Sequence, residues 1–236
     1  MNAMPRDTLT RDQIISTAIE LLDRGGLEGF NMRALGERLG SAATAVYWHV
    51  GSKENLIALA ADRAWSEVPL PDPATTDWRT AAREMATGLY AMLTRHTWVV
   101  QAFGSVLVYG PGKARHDDHA IGLFEAAGFA GYEVDQAITA VFTYVVGNAL
   151  GPAATASFSR KLAREGGGAA ERMAEMMARA REIASQFPRL RSGLDSPAAE
   201  YGASPEGSFQ FGLEAILDGL EARRSAGAGK RSRPPG

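Results

Sequence analysis

Apolar residues recur every three to four positions along most of this chain, the spacing expected of helices that bury one face. In LTRDQIISTAIELLDRGG this spacing follows Thr10, a candidate N-cap, and the glycine pair is expected to end the helix. NMRALGERLG predicts a shorter helix between Asn31 as N-cap and Gly40 as stop, and GSKENLIALAADRAW predicts another behind Ser52. With the stretch AVYWHV between the last two, the first 67 residues are expected to pack as one small unit.

Further helical patterns fill most of the remaining sequence. They run over about 78 to 94, 97 to 108, 114 to 127, 133 to 163, 169 to 186 and 205 to 224. Strand alternation of useful length does not interrupt them. The predicted fold class is therefore all-α.

The segment VPLPDPATTD contains three prolines and no periodicity, which is typical of a linker. We therefore expect an N-terminal domain over residues 1–67, a linker over 68–77 and a helical C-terminal domain over 78–224. The tail 225–236 is rich in glycine, proline and charge, and is expected to be disordered.

The stretch AVYWHV holds three large rings in a row between two valines. On a helix, Val46 and Val50 share one face, Trp48 points nearly opposite, and Tyr47 and His49 flank it. All three rings then cannot reach one core. The stretch is either a fully buried strand or a short helix that is anchored by its valines and exposes its rings.

Two helices joined by a three- to four-residue turn containing glycine are typical of the helix-turn-helix, whose second helix enters the DNA major groove. NMRALGERLG-SAA-TAVYWHV fits this pattern and places Thr44, Ala45 and Trp48 on the outward face. Methyl and ring groups there can contact thymine methyls, while the tyrosine hydroxyl, the histidine and Lys53 can reach phosphates. Arg33 can reach a guanine edge or a phosphate. We therefore predict a DNA-binding unit.

The run from IISTAIELLDRGGLEGFNMRALGERLG through VYWHVGSKENL resembles the tetracycline-repressor (TetR) family of transcriptional regulators, as does FQFGLEAILDGLEAR near the C-terminus. The resemblance implies a regulator, expected to be a repressor, that leaves a palindromic DNA operator when a small-molecule effector binds. It also implies base-facing or groove-wall positions for Arg33, Ala43, Thr44, Ala45, Trp48 and His49, and phosphate positions for Met32, Tyr47 and Lys53. Where the tetracycline-binding members use glutamine, proline and threonine to read bases, this chain has Ala43, Thr44 and Ala45, so its operator should differ.

The resemblance further implies a homodimer, in which two C-terminal helices of each subunit pair, here about 133 to 163 and 205 to 224. The apolar stripe expected at that dimer interface is Phe209, Leu213, Ile216, Leu217 and Leu220. Packing of the same stripe within one subunit is the alternative.

An effector cavity in the C-terminal domain is also implied by the resemblance. Candidate lining residues are Trp98, Phe103, Phe124, Phe142, Tyr144 and Asn148, with plain core as the alternative for each. The histidine and glutamate that hold magnesium-bound tetracycline in the family align with Ala102 and Gly151, which argues against tetracycline, a metal or any other cofactor. HDDH at 116–119 offers two imidazoles, fewer ligands than a metal site needs.

The composition of the chain mainly argues against certain classes of protein. The formal net charge of −2 carries no nucleic-acid signal, although Arg33, Arg38 and Lys53 against Glu37 leave +2 over residues 31–53. The chain has no cysteine and no signal-peptide core, and we expect no stretch that approaches a membrane span, which fits a cytoplasmic protein without membrane partners.

Enzymatic motifs are missing from the sequence as well. GPGK at 110–113 lacks the first glycine and the Ser/Thr of a phosphate loop, and neither GxSxG nor HExxH occurs, so no catalytic residues are predicted. Two alternatives stay open. One is a helical small-molecule carrier whose N-terminal unit is only structural, and the other is a DNA-binding regulator that activates or needs no ligand.

Overall fold

The computed structural model describes residues 9–164, 166, 168–193 and 205–231. These residues form eleven helices and no strand, so the all-α prediction is confirmed. The helices are α1 (Arg11–Gly29), α2 (Met32–Arg38), α3 (Ala43–Val50), α4 (Lys53–Trp65), α5 (Trp78–Arg95), α6 (Thr97–Ala102), α7 (Pro111–Ala126), α8 (Tyr132–Arg164), α9 (Ala169–Ser185), α10 (Pro188–Gly193) and α11 (Pro205–Arg231).

The predicted N-caps of α1, α2 and α4 are confirmed. The Thr10 hydroxyl accepts from the backbone N–H of Gln13 at 3.2 Å, and the Gln13 side chain accepts from the Thr10 N–H at 2.9 Å, which completes a capping box. Asn31 and Ser52 accept from the N–H three residues ahead at 2.8 Å and 2.9 Å. The glycine pair does not end α1: Gly26 adopts a φ of 65° and kinks the helix, which then continues.

A tight turn joins α2 to α3 and depends on two glycines. A Cβ on Gly36 would lie 2.8 Å from the Ser41 carbonyl oxygen and 3.0 Å from the Ala43 nitrogen, so only glycine fits at this crossing. Gly40 adopts a φ of +61°, which lets the chain reverse after α2. The turn fixes the angle at which α3 leaves α2.

The chain forms two compact units, Met1–Ala153 and Ala154–Gly236. The expected domain boundary near residue 70 lies inside the first of these units, and the domain bounds stay a prediction. It lies inside because α4 packs on α5, α6 and α7 as well as on α1, and Val68 in the helix-free connection is buried.

Three segments differ from the sequence prediction. Helix α6 ends at Ala102 rather than near 108, and α10 forms between 186 and 205, where no helical pattern was predicted. Helix α11 continues to Arg231, past the expected start of the tail at residue 225, although the glycines at 227 and 229 disfavour a helix. Residues 232–236 lie outside the described residues.

Helix α8 is long and apolar enough, by length and composition, to cross a membrane, and the expectation that no stretch approaches this is wrong. Its sequence places small and weakly polar residues, not charges, between the apolar ones, so the apolar character persists over many turns. Only 22% of its most apolar window is buried in the single chain. Most of this window is therefore not covered by the described residues of the same chain.

Candidate DNA-binding helix and ligand cavity

The three consecutive rings lie on α3, and the helix exposes them. Val46 and Val50 are buried, whereas Trp48 is 84% exposed. The predicted orientation of the helix is thus confirmed, and the buried-strand alternative is excluded. An exposed indole of this size on a helix that buries two valines is available to a partner.

The exposed face of α3 is mixed in character. The His49 ring meets Trp48 edge to face, with ring centroids 5.1 Å apart. Tyr47 and Thr44 are exposed, and Ala43, Ala45 and His49 are half-buried. The structure therefore brings the predicted base-facing residues of α3 onto one accessible surface.

Two basic groups flank this surface. The Arg33 side chain is exposed and pairs with Glu37 at 3.0 Å, an exposed contact that contributes little and can be exchanged for a phosphate. The Lys53 ammonium lies 5.7 Å from the centre of the Phe30 ring, and its side chain is half-buried. Both cations lie on helices adjacent to α3 in the chain.

Met32 does not belong to the accessible surface. Its side chain is only 6% exposed and packs in the core beneath α2. This burial argues against a phosphate contact from the side chain, and the phosphate position of Met32 stays a prediction. Position 32 starts a helix whose inward face is apolar, and Met32 lies on that face.

An apolar cavity that opens to solvent lies among α5, α7 and α8. It is lined by Ala82, Met85, Ala86, Leu89, His116, Ala120, Leu123, Phe124, Ile138, Val141 and Phe142. Of the six predicted lining residues, Phe124 and Phe142 are in this wall. Among the described lining residues His116 is the only polar one.

The other four predicted lining residues lie elsewhere. Trp98 is fully buried and donates its indole N–H to Asp23 at 2.7 Å, so it is core. The Phe103 ring packs beside a ring of the cavity wall without lining the cavity. Asn148 donates its amide to the Tyr144 carbonyl at 2.8 Å along α8, and neither residue lines the cavity.

His116 supplies the polar contact of the cavity. It is buried, packs 4.9 Å from the Trp65 ring, and holds Nδ1 3.5 Å from an Asp117 oxygen. Burial, helped by the charges of Lys113 and His119, lowers the pKa of His116 despite Asp117, so the imidazole is neutral at neutral pH. Its position at the start of the apolar series 116, 120, 124 on α7 is a signal from which the sequence could have identified it.

The two histidines of HDDH, His116 and His119, do not form one site. His119 donates Nε2 to the Pro71 carbonyl at 2.9 Å, whereas His116 faces the cavity wall. Within the described residues, no group of three or more His, Asp or Glu side chains could hold a metal ion.

Lys113 lies in an aromatic cage beside the cavity. Its ammonium is 5.0 Å from the centre of Trp65, 5.7 Å from Tyr109 and 5.6 Å from Phe142. It also pairs with both oxygens of Asp117 at 2.7 and 2.9 Å. The charge of this lysine is thus neutralised within the protein.

Asp62 of α4 caps the first turn of α7, a contact that the sequence analysis missed. Its carboxylate accepts from the backbone N–H groups of Gly112 and Lys113 at 3.0 and 2.9 Å. A Cβ on Gly112 would lie 2.2 Å from the Asp62 carbonyl oxygen, and one on Gly110 would lie 2.6 Å from its carboxyl carbon. The glycines of GPGK therefore serve close helix packing, and no local signal identified Asp62, fifty residues away.

A buried histidine links three elements of the same unit. His96, which precedes α6, lies 2.7 Å from Asp23 of α1 through Nδ1 and 3.0 Å from Glu67 through Nε2. Burial alone would lower the pKa of His96, but the hydrogen bonds and charges of the two carboxylates outweigh it and raise the pKa. The protonated imidazole is therefore favoured in the folded protein.

The predicted dimer stripe on α11 is already buried in the single chain. Phe209, Leu213, Leu217 and Leu220 are buried, and Ile216 is half-buried. Side chains with almost no exposed surface cannot gain burial in a dimer interface, so the structure favours the alternative of packing within one subunit. On the same helix, Phe211 is 81% exposed.

Comparison with known proteins supports both parts of this description. The profile described as bacterial regulatory proteins, tetR family, matches residues 14–60, and that of the tetracyclin repressor-like C-terminal domain matches residues 70–224. A Saccharopolyspora erythraea HTH-type transcriptional regulator is 30% identical over 91% of this chain and 85% of its own length. The transcriptional repressor DrrR1 of Streptomyces coeruleorubidus is 30% identical over 92% of this chain and 79% of its length.

Among solved structures, the TetR family protein ActR of Streptomyces coelicolor, in complex with actinorhodin, is similar at a TM-score of 0.69 and 26% identity. That likeness covers 92% of this chain and 97% of ActR. Matches of this extent, on both the helix-turn-helix and the C-terminal helices, show that the chain belongs to the TetR family of bacterial DNA-binding transcriptional regulators.

Proposed function

We propose that this protein represses transcription as a homodimer that sets α3 of each subunit in a major groove and is released by a small molecule bound in the cavity. The observation that carries the proposal is the 84% exposed indole of Trp48 on a helix anchored by Val46 and Val50. Two half-sites about one helical turn apart would receive the two helices. The palindromic operator then follows from the symmetry of the dimer.

Roles on the DNA follow from chemistry and exposure. Trp48, Thr44 and Ala45 contact base edges, with Ala43 and His49 along the groove wall. Tyr47 and Lys53 bind phosphates, and Arg33 reaches either a phosphate or a guanine edge once it leaves Glu37. Few cations are involved, so affinity depends on both subunits binding together.

The dimer interface is proposed on α8 and α11, but on surfaces other than the predicted stripe. Most of the apolar window of α8 is uncovered in one chain, with Leu150 exposed, and Phe211 is exposed on α11. A second copy that covers such surfaces would gain burial that the four buried residues of the stripe cannot supply. A second copy of the chain would also explain the exposed apolar surface of α8, so that no membrane is needed to cover it.

Ligand-released repression is supported by two relatives and by the cavity. DrrR1 is described as a repressor, and ActR has been solved with actinorhodin. Helix α7 supplies His116 to the cavity wall, and its first turn is capped by Asp62 of α4, so a ligand that moves α7 also acts on α4 of the DNA-binding unit. We place the protein in the cytoplasm with its operator and propose no catalytic role.

The test uses DNA from upstream of the protein's own gene. Fluorescence anisotropy should give a saturable complex at submicromolar protein that a scrambled duplex of equal length does not form, and that weakens steeply as salt rises. Complexes of equal strength with both duplexes would contradict a specific regulator. Deleting the gene should raise transcription of its target, and a fall would instead favour an activator.

A further inference from the structure

The exposed face of α3 offers mainly apolar groups to a DNA base. We propose that it recognises each DNA half-site through the 5-methyl groups of thymines, an inference that rests on the proposed function of α3 as the recognition helix. Along Ala43–Val50 the accessible side chains carry methyl groups or rings. None is an arginine, lysine, asparagine, glutamine, aspartate or glutamate, the side chains whose hydrogen bonds distinguish bases most strongly.

The polar atoms on this face do not form a fork that could hold one base by two hydrogen bonds. The Thr44 and Tyr47 side chains each carry one hydroxyl, and the Trp48 indole carries a single N–H donor. His49 is half-buried, and its ring meets Trp48 edge to face with the centroids 5.1 Å apart. Discrimination between bases by hydrogen bonds from α3 is therefore weak.

The long basic side chains lie on the neighbouring helices. The Arg33 guanidinium on α2 donates Nε to Glu37 at 3.0 Å, and the Lys53 ammonium on α4 lies 5.7 Å from the centre of the Phe30 ring. Arg33 can add one guanine contact from the side. The base pairs under α3 are then left to its own methyl and ring groups.

Thymine is the base that suits such a face. Its 5-methyl is the apolar group that base pairs present in the major groove. Burial of this methyl against the 84% exposed Trp48 ring or the Thr44 methyl removes apolar surface of both partners from water. A pair of cytosine and guanine would instead turn its amino group and carbonyl oxygen toward this surface, where they lose hydration without gaining a hydrogen bond.

The spacing of the face sets the distance between the thymines. Thr44 and Trp48 are four residues apart on α3, which corresponds to about 6 Å along a helix. Neighbouring base pairs are about 3.4 Å apart. A helix that lies along the groove thus reaches thymines about two base-pair steps apart in each half-site.

The experiment removes thymine methyls without changing base pairing. The upstream duplex is prepared once with thymine and once with uracil at every thymine, and the full-length protein is titrated against both by anisotropy at one salt concentration. Burial of one methyl is worth about fourfold in the dissociation constant, so one contact in each half-site should make the uracil duplex bind at least about tenfold more weakly. A scrambled duplex should show no such difference.

A second pair of duplexes tests the same methyl on a different base. Cytosine replaces the thymines at which single uracils weaken binding, either unmodified or as 5-methylcytosine, which carries its methyl on the same ring atom as thymine. The 5-methylcytosine duplex should bind about fourfold to tenfold more tightly than the cytosine duplex. Equal binding would overturn the inference, because uracil would then have acted through the shape of the DNA.

Protein variants identify the side chains that make the contact. Thr44→Ser removes one methyl and keeps the hydroxyl, and Trp48→Ala removes the ring, so in both the ratio of uracil to thymine dissociation constants should fall by at least about fourfold. Leu107→Ala, at an 85% exposed position outside α3, is the control and should keep the full ratio. An unchanged ratio in both α3 variants would overturn the inference.

Failure of the proposed function is distinguishable from failure of this inference. If the thymine duplex forms no specific complex, the inference falls together with the proposed function. A specific complex that is equally strong on uracil would overturn the inference alone. Base reading would then depend on hydrogen bonds, and duplexes containing 7-deazaguanine or 7-deazaadenine, which lack the N7 acceptor, would be the ones that bind weakly.

Discussion

The molecule contains two clusters made of the same four residue types, in opposite surroundings. The α3 cluster is Tyr47, Trp48, His49 and Lys53, and the cavity-side cluster is Tyr109, Trp65, His116 and Lys113. Trp48 is 84% exposed and Trp65 is 1% exposed. Residue type alone therefore does not decide whether an aromatic cluster serves the surface or the interior.

The helices packed around each cluster determine whether its rings are exposed or buried. Helix α3 buries a narrow face through Val46 and Val50, so its remaining positions stay accessible. Helix α4 packs on α7, and the Trp65 ring stacks 6.3 Å from Phe142 of α8. The same residue types thus form an accessible surface in one place and a buried cluster beside a cavity in another.

The largest expected effect comes from truncating the enclosed indole. Trp65→Ala removes a fully buried ring that contacts His116 and Phe142 and should lower the free energy of unfolding by about 3 to 5 kcal/mol. Chemical denaturation followed by circular dichroism measures this. A loss below about 1 kcal/mol would mean that Trp65, like the exposed Trp48, contributes little to the stability of the fold.

Helix α11 offers the same contrast between neighbouring positions. Leu213→Glu places a carboxylate where the side chain has no exposed surface and should cost about 3 to 5 kcal/mol of stability. Phe211→Glu, on the exposed face, should leave stability nearly unchanged and convert the dimer to monomer in sedimentation velocity. A folded monomer from Leu213→Glu, with an intact dimer from Phe211→Glu, would restore the originally predicted stripe.

Trp48→Ala should act on DNA and not on folding. We expect a loss of about 1 to 3 kcal/mol in operator binding, measured by anisotropy on the upstream duplex, with the unfolding free energy changed by less than about 0.5 kcal/mol. Leu107→Ala, at an 85% exposed apolar residue outside α3, α8 and α11, is the control and should bind DNA normally. An unfolded Trp48→Ala variant, or equal losses in both variants, would contradict the role of α3.

The smallest effect concerns the histidines, whose pKa values move in opposite directions. The pKa of His96 is raised, so its contribution to stability is complete below the unfolded value and is lost as pH rises through the folded value. The difference in unfolding free energy between the wild type and His96→Gln should therefore shrink as the pH rises above about 6.5, the value for a free histidine. A difference that grows with pH would contradict the Asp23 and Glu67 contacts.

Local signals in the sequence sufficed for part of this structure. Capping side chains such as Thr10 and Asn31 act within three residues, and the valine spacing of α3 fixes its outward face. An apolar stripe reports burial but not the partner that buries it, which is why Leu213 was assigned to a second subunit. Trp98 was assigned to the cavity for the same reason: its partner Asp23 lies far away in the sequence.

The close contact between Asp62 and Gly112 shows that positions around the cavity differ in how well they tolerate substitution. No side chain fits at 112, because its Cβ would overlap the α4 backbone. The alanines at 82, 86 and 120, in contrast, line the cavity without forming that contact. A library for new ligand specificity in a biosensor should therefore randomise the alanines and keep the GPG tripeptide unchanged.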